Sequence, residues 1–496
     1  MRWSVFLLPF LLLAAFVPGV YAQKDSDLAK ALALEKTLQR IIQQHEGSIA
    51  CILVSRSELH PRNAQNPGQL GDYEPRRLSL PADLSDKERL KWEKKLDLAD
   101  PTNVPPAFGS GVVVDADGLI LTNYHVVQDA AKIYVRLPSG KGSYADIHAA
   151  DPRSDLAVLK LLQPVGPLRP ITFGDAEKLE RGQFVLTLAN PFAVGFRDGQ
   201  PSASWGILSN IRRRAWMNYK EEERIKPFHF YGTLLMTDAR MNLGCSGGAM
   251  FNLQGEMIGL TSSMAGIFGG ETPGGFAVPI SAPMRRVIDV LKRGEEVDYG
   301  FLGVSFEEQH ANGQFGVKLS YIGPGGPAAL DGKLKDGDTL LAVNGVPINQ
   351  SDDIYLNVGM HLAGTKVRLH VRSGTKERVA DVTLTKLLVP GKKIASSLGP
   401  RPYFRGLRVD YTSLVVQQES RLPFIPAGVL ITEVQPNSAA ERAKLKVGDI
   451  ITHVNNVPVT TPGGFYQGLN DPRGAVEFTM HGYPAQTPPV RVILQK

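Results

Sequence analysis

One motif in the C-terminal third of the chain occurs twice. Lys333-Leu334-Lys335-Asp336-Gly337-Asp338 returns as Lys444-Leu445-Lys446-Val447-Gly448-Asp449. Ala328-Ala329 is matched by Ala439-Ala440, Asn344 by Asn455, and Val346-Pro347 by Val457-Pro458; every match is displaced by 111 residues, the distance from Lys333 to Lys444. Solenoid units run to about 50 residues, so this period fits a small domain present in two copies. The chain is therefore expected to end in two like domains, 296–388 and 403–496. A linker rich in Pro, Gly, Lys and Ser joins them at 389–402. A length of 496 residues allows about three domains, which leaves one larger unit ahead of the repeat.

The first residues read as a targeting segment. Arg2 precedes the apolar run Val5–Val17, and Val20-Tyr21-Ala22 offers small residues for cleavage, so 1–22 is a signal peptide cut after Ala22. The run is shorter than the ~20 residues that span a bilayer, which weighs against a retained anchor. The mature protein is expected outside the cytoplasm, periplasmic or secreted. Residues 23–45 predict a helix, because Leu28, Ala31, Leu32, Leu34, Leu38, Ile41 and Ile42 recur at spacings of three and four. The net charge of +6 is mild and forms no dominant basic stripe, so no nucleic-acid partner is expected. Two cysteines make neither a disulfide scaffold nor a Cys-rich metal cluster.

From 46 to 295 the chain predicts one mostly β unit. Ser48–Val54 reads as a strand, and a polar, Pro-rich insertion at 56–106 follows, with one short charged helix near Ser85–Leu98. Beyond it, Gly111–Val114, Leu119–Thr122, Ile133–Leu137, Leu156–Leu161, Phe184–Leu188 and Met257–Thr261 are short apolar runs between Gly, Asn, Asp and Pro turns. That spacing predicts an antiparallel barrel or sandwich, closed by a helix at Ala282–Arg293.

Three segments of this unit carry chemistry. In Gly244-Cys245-Ser246-Gly247-Gly248 the glycines let the backbone bend sharply around a serine, and the N–H groups of Gly244 and Ser246 can converge on an oxyanion. Ser-Gly-Gly alone also occurs in plain turns. A serine hydroxyl needs a base to take its proton, and Thr122-Asn123-Tyr124-His125-Val126-Val127 supplies an imidazole at a strand end. The imidazole needs an orienting acceptor. In Asp151-Pro152-Arg153-Ser154-Asp155-Leu156-Ala157, Asp155 leads straight into an apolar strand, whereas Asp151 fits a turn. His125, Asp155, Ser246 is the chain order of chymotrypsin-type triads.

With Leu188-Ala189-Asn190-Pro191-Phe192, Thr237-Asp238-Ala239 and Gly275-Phe276-Ala277-Val278-Pro279, these stretches resemble the HtrA (DegP-like) serine proteases over about residues 107–295. The resemblance implies a chymotrypsin-like double antiparallel β-barrel followed by two PDZ-like α+β domains. It also implies His125 as general base, Asp155 as its orienter, Ser246 as nucleophile and an acyl-enzyme hydrolysed by water. The activity would be an ATP-independent endopeptidase acting on unfolded or damaged exported polypeptides. No P-loop and no His-Glu-x-x-His motif occurs, so no cofactor or metal is expected. A non-catalytic chaperone or PDZ scaffold on a silent protease fold stays open at this point.

The chain departs from the family in places. Cys245 stands where the family has asparagine; it packs as a small apolar group, is an oxidisable thiol, or is bonded to Cys51. Arg240, six residues before Ser246, either reads an acidic substrate side chain or points to solvent, and Leu260-Thr261-Ser262 is the expected neighbouring pocket wall. The family's trimer uses an aromatic N-terminal segment, which is absent here, so a homo-oligomer rests on analogy alone. In the repeats, Gly300-Phe301-Leu302-Gly303 resembles a PDZ carboxylate-binding loop for C-terminal peptides. Phe404-Arg405-Gly406-Leu407-Arg408-Val409 matches it with the second glycine missing. Residues 211–231, with Arg212, Arg213, Arg214, Glu221, Glu222, Glu223, Arg224, Trp216 and Tyr219, are a solvated charged loop or a sensor between PDZ occupancy and the active site.

Overall fold

The computed structural model describes residues 19–56, 85–88, 97–213 apart from 104, 106 and 164, 226–262, 274–307, 315–389, 394–418, 427–469, 474–481 and 490–494. Most of the signal segment, most of the expected helix near 85–98 and the centre of the 211–231 loop lie outside these. The N-terminal helix spans Gly19–His45, and the first strand, β1, follows at Ile49–Arg56.

Five more strands join β1: β2 (Ala107–Val113), β3 (Leu119–Asn123), β4 (Ala130–Arg136), β5 (Gly142–Asp151) and β6 (Leu156–Leu161). They run β5-β4-β1-β2-β3-β6, and β5 pairs with β6 to close a barrel. The second barrel contains β7 (Phe184–Ala189), β8 (Ser202–Arg213), β9 (Leu234–Thr237), β10 (Ala249–Phe251), β11 (Met257–Ser262) and β12 (Gly275–Pro279). Its order is β10-β11-β12-β9-β8-β7. Mostly β, with two six-stranded barrels, is the architecture expected.

These strands are apolar on both faces because each face belongs to a different core. Ile120, Leu159, Val113 and Val135 fill the first barrel, and Val185, Leu208, Met250 and Ile258 fill the second. Their neighbours Leu121, Val158, Leu188 and Leu260 point into a third core between the barrels. Ile41 of the N-terminal helix and Met284, Ile288 and Leu291 of helix Ala282–Lys292 seal that core. Each fully buried Leu or Ile contributes about 1.5–3 kcal/mol. The placement of both barrels therefore rests on this seam.

The repeat proves to be a backbone instruction. Lys333 and Lys444 take positive φ (47° and 59°), as do Asn344 and Asn455 (51° and 49°). Asp338 Oδ2 accepts the Lys335 N–H at 3.0 Å, and Asp449 Oδ2 accepts the Lys446 N–H at 2.9 Å. The repeated residues thus mark the same turns in two separate cores, one around Leu319, Leu340 and Leu369 and one around Ile431, Ile451 and Phe478.

The segment between the copies is more than a spacer. Ile394 and Ala395 add a strand to the first barrel, opposite Ala150 and Ala149 of β5. Nearby, Lys386 is 1% exposed, with Nζ 2.8 Å from Glu296 Oε1, 2.8 Å from Asp298 Oδ1 and 2.7 Å from Asp410 Oδ2. Arg401 bridges Asp298 and Asp410. Burial alone would lower the Lys386 pKa, but Asp298, Asp410 and Glu296 together outweigh it and hold the ammonium charged. These charges tie the entry of the first repeat, its last strand and the second repeat into one buried junction. Lys386→Met, which strips the carboxylates of a shared cation, is expected to lower the unfolding free energy by about 3–5 kcal/mol, read as a fall in the urea midpoint.

Candidate active site

His125 lies in the one-turn helix Tyr124–Val127 at the end of β3. Asp155 lies between β5 and β6 in a left-handed conformation, φ 57°, uncommon for a residue with a Cβ but more accessible to aspartate than to most. Its neighbours hold it there. The Asp155 carbonyl accepts the Tyr124 N–H at 3.0 Å and Asn123 Nδ2 at 3.1 Å. Its Oδ1 accepts the His125 backbone N–H at 3.0 Å, and its Oδ2 lies 2.8 Å from His125 Nδ1 and 3.3 Å from Asn123 Nδ2. The carboxylate side chain is 6% exposed and the imidazole 26%. A buried carboxylate is thereby fully met by donors, and the ring is held through Nδ1.

Ser246 comes from the other barrel, on the loop between β9 and β10, and is 5% exposed. Three successive carbonyls of this loop are taken up. Ser110 Oγ donates to Gly244 O at 2.8 Å, Thr261 Oγ1 to Cys245 O at 2.5 Å and the Ser110 N–H to Ser246 O at 2.8 Å. Ser110 is itself anchored: its carbonyl accepts Thr122 Oγ1 at 2.7 Å, and its Oγ accepts the Asn190 N–H at 2.8 Å. Among the described residues the Gly244 N–H has no partner. Gly244, at φ 96°, is where the chain needs a residue without Cβ; one there would sit 2.6 Å from Asn190 O.

The two barrels meet tightly at Gly109. A Cβ at this position would lie 2.6 Å from Val126 Cγ1 and 3.2 Å from Ser246 O. Its bare backbone lets the His125 segment and the Ser246 loop share one strand, β2, between them. Sequence reading passed over Ser110 and Gly109; the only signal was a Gly-Ser-Gly run inside an otherwise apolar strand. It also passed over His229, buried at 5%, whose pKa lies below the ordinary imidazole value because burial outweighs the opposing Asp155 charge and the His125 charge adds to the lowering.

Cys245 is 4% exposed and packs with Ala189 and Met241; its Sγ accepts the Asn242 N–H at 3.4 Å. Neither it nor Cys51 is bonded, which removes the Cys51–Cys245 alternative. Burial raises both thiols, Cys51 to about 12. Arg240 is exposed, and its N–H donates to Ser204 Oγ at 3.0 Å. Of the expected pocket wall, Leu260 turns into the core between the barrels, Thr261 holds the Cys245 carbonyl, and Ser262 is fully buried.

In the first repeat the Leu302 and Gly303 carbonyls accept the N–H groups of Ala328 and Gly323 at 3.0 and 2.9 Å. In the second, Arg405 and Gly406 accept from Ala440 and Gln435 at 3.1 and 2.7 Å. Gly406 (φ 88°) thus matches Gly303 (φ 81°), so the second glycine is retained and the missing one is the first: Tyr403 stands opposite Gly300. The loops still differ. Phe404 and Leu407 exchange both backbone bonds, at 2.8 and 3.0 Å, and Arg405 donates to Leu494 O at 2.6 Å. The second loop therefore spends donors on itself.

Comparison with known proteins follows the same division. A trypsin-like peptidase domain matches residues 109–260, and PDZ domains match 300–384 and 430–471. A probable periplasmic serine endoprotease, DegP-like, of Pseudomonas fluorescens is 33% identical over 433 residues, covering 85% of each chain. One of the same description from Pseudomonas putida is 31% identical over 440 residues, covering 86% of each. The solved serine endoprotease of Yersinia pestis is 24% identical, covering 71% of this chain and 98% of its own, at a TM-score of 0.43.

Buried thiols of raised pKa react slowly. A disulfide-exchange reagent is expected to modify neither Cys51 nor Cys245 in the folded protein and both in denaturant; rapid labelling of the folded chain contradicts the placement of Cys245.

Proposed function

The chain belongs to the HtrA (DegP-like) family and is a serine endopeptidase, and we propose that it cleaves unfolded or damaged exported polypeptides by an acyl-enzyme mechanism, without ATP, in protein quality control. The observation that carries the mechanism is the two-point hold of Asp155 on His125: one carboxylate oxygen on the backbone N–H, the other 2.8 Å from Nδ1.

In this reading His125 takes the Ser246 proton as Oγ attacks the scissile carbonyl, and returns it to the leaving amine. Asp155 fixes the tautomer and stabilises the transient imidazolium. The oxyanion faces the Gly244 and Ser246 N–H groups, a donor of this kind contributing about 3 kcal/mol. Water then attacks the acyl-enzyme with His125 again as base. Hydrolysis of a peptide bond at this site needs the scissile segment extended and accessible, which favours unfolded chains. We further propose that 1–22 is removed on export to the periplasm or beyond, and that the Gly300–Gly303 loop binds C-terminal peptides.

Hydrolysis of a casein-like substrate is expected from the wild-type chain and not from Ser246→Ala. Asp155→Asn is expected to retain the fold and to lower kcat by about 10⁴. Wild-type turnover surviving Ser246→Ala sinks the mechanism.

A further inference from the structure

Arg153 lies two residues before Asp155 and is 4% exposed. Its guanidinium carbon is 4.5 Å from the ring centre of Phe228 and 4.7 Å from that of Tyr299. The two rings meet edge to face, with centroids 5.2 Å apart at 76°. Nε and Nη1 have no hydrogen-bond partner among the described residues, so the ring faces answer much of a buried charge.

The two rings come from different parts of the chain. Phe228 begins the short 3-10 turn Phe228–Tyr231 of the protease unit, and its N–H donates to Arg153 O at 2.8 Å. Tyr299 opens the first PDZ domain and is fully buried. Its hydroxyl donates to Asp151 Oδ2, which also accepts the Ser154 N–H at 2.9 Å. A second contact runs alongside: Tyr231 stacks on Tyr355 of the PDZ domain at 4.7 Å and 20°. Gly359 of that domain presses so near Arg153 that a Cβ there would lie 2.5 Å from Nη2.

The five residues Asp151–Asp155 are therefore gripped from both sides. Asp151 and Arg153 hold Tyr299 and Phe228; Asp155 holds His125, Asn123 and Tyr124. Asp155 sits at φ 57° at the end of this turn, so its carboxylate position depends on how the turn is held. We propose that Arg153 is a positioning residue of the active site, and that the docked first PDZ domain, through Tyr299, is a built-in support of the Asp155 turn. The inference rests on the proposed role of Asp155. Arg153 touches no substrate; it acts by fixing where the carboxylate sits, and small displacements at such a support are costly to turnover.

The test uses the full chain and a chromogenic peptide too short to reach a PDZ domain. Tyr299→Phe keeps the ring and removes only the donor to Asp151. It is expected to lower kcat about tenfold with KM unchanged. Arg153→Ala is expected to lower kcat further, and Arg153→Lys, which keeps the charge without the planar fork, to recover part of that loss. If Arg153→Ala does not fold, Tyr299→Phe decides alone. Wild-type kcat in Tyr299→Phe overturns the inference while leaving the protease reading intact. A wild-type chain inert to the peptide and to casein overturns both.

Discussion

The grip of Asp155 on His125 is the constraint from which the rest of this site follows. A carboxylate this deeply buried must be met by donors, and here the ring nitrogen, a backbone N–H and the Asn123 amide all meet it. The aspartate meets them from left-handed backbone, φ 57°, and the turn ahead of it is held through Asp151 and Arg153. The barrel is thus required for more than enclosing apolar residues: β3, β5 and β6 bring the imidazole and its acceptor to one edge and keep them there.

The second requirement is registration between the barrels. The apolar seam sets their distance only coarsely, because burial is non-directional. Ser110 sets it finely. Standing on the first barrel, it uses its N–H, Oγ and carbonyl on partners from the Ser246 loop, Asn190 and Thr122. Gly109, beside Ser110, makes the approach sterically possible. The Ser246 loop is thus held by hydrogen bonds to Ser110 on the first barrel and to Thr261 on the second.

The barrels and the duplicated domain were legible in the sequence because both are local. Alternating apolar runs between turn residues announce strands, and Lys333, Asn344 and Asp338 recur because the same turns recur. His125, Asp155 and Ser246 stood out through chain order and through their neighbours. What was hidden depends on long-range pairing. Ser110 is an ordinary strand residue until its partner 134 positions away is known. Tyr299 adjoins the expected Gly300–Gly303 loop, and nothing in the sequence shows that its ring and hydroxyl are buried against the Asp155 turn. The shift in the second PDZ loop was equally invisible: Gly406 has to be matched by its carbonyl's partner, and counting glycines along the chain picks the wrong one.

The central claim is that one hydroxyl, that of Ser246, is made nucleophilic by this arrangement. Reaction of the wild-type chain with diisopropyl fluorophosphate, followed by peptide mapping, tests it most directly. A single phosphoryl adduct on Ser246 is the result the account predicts. No adduct, or one on another serine with Ser246 unmodified, would contradict it.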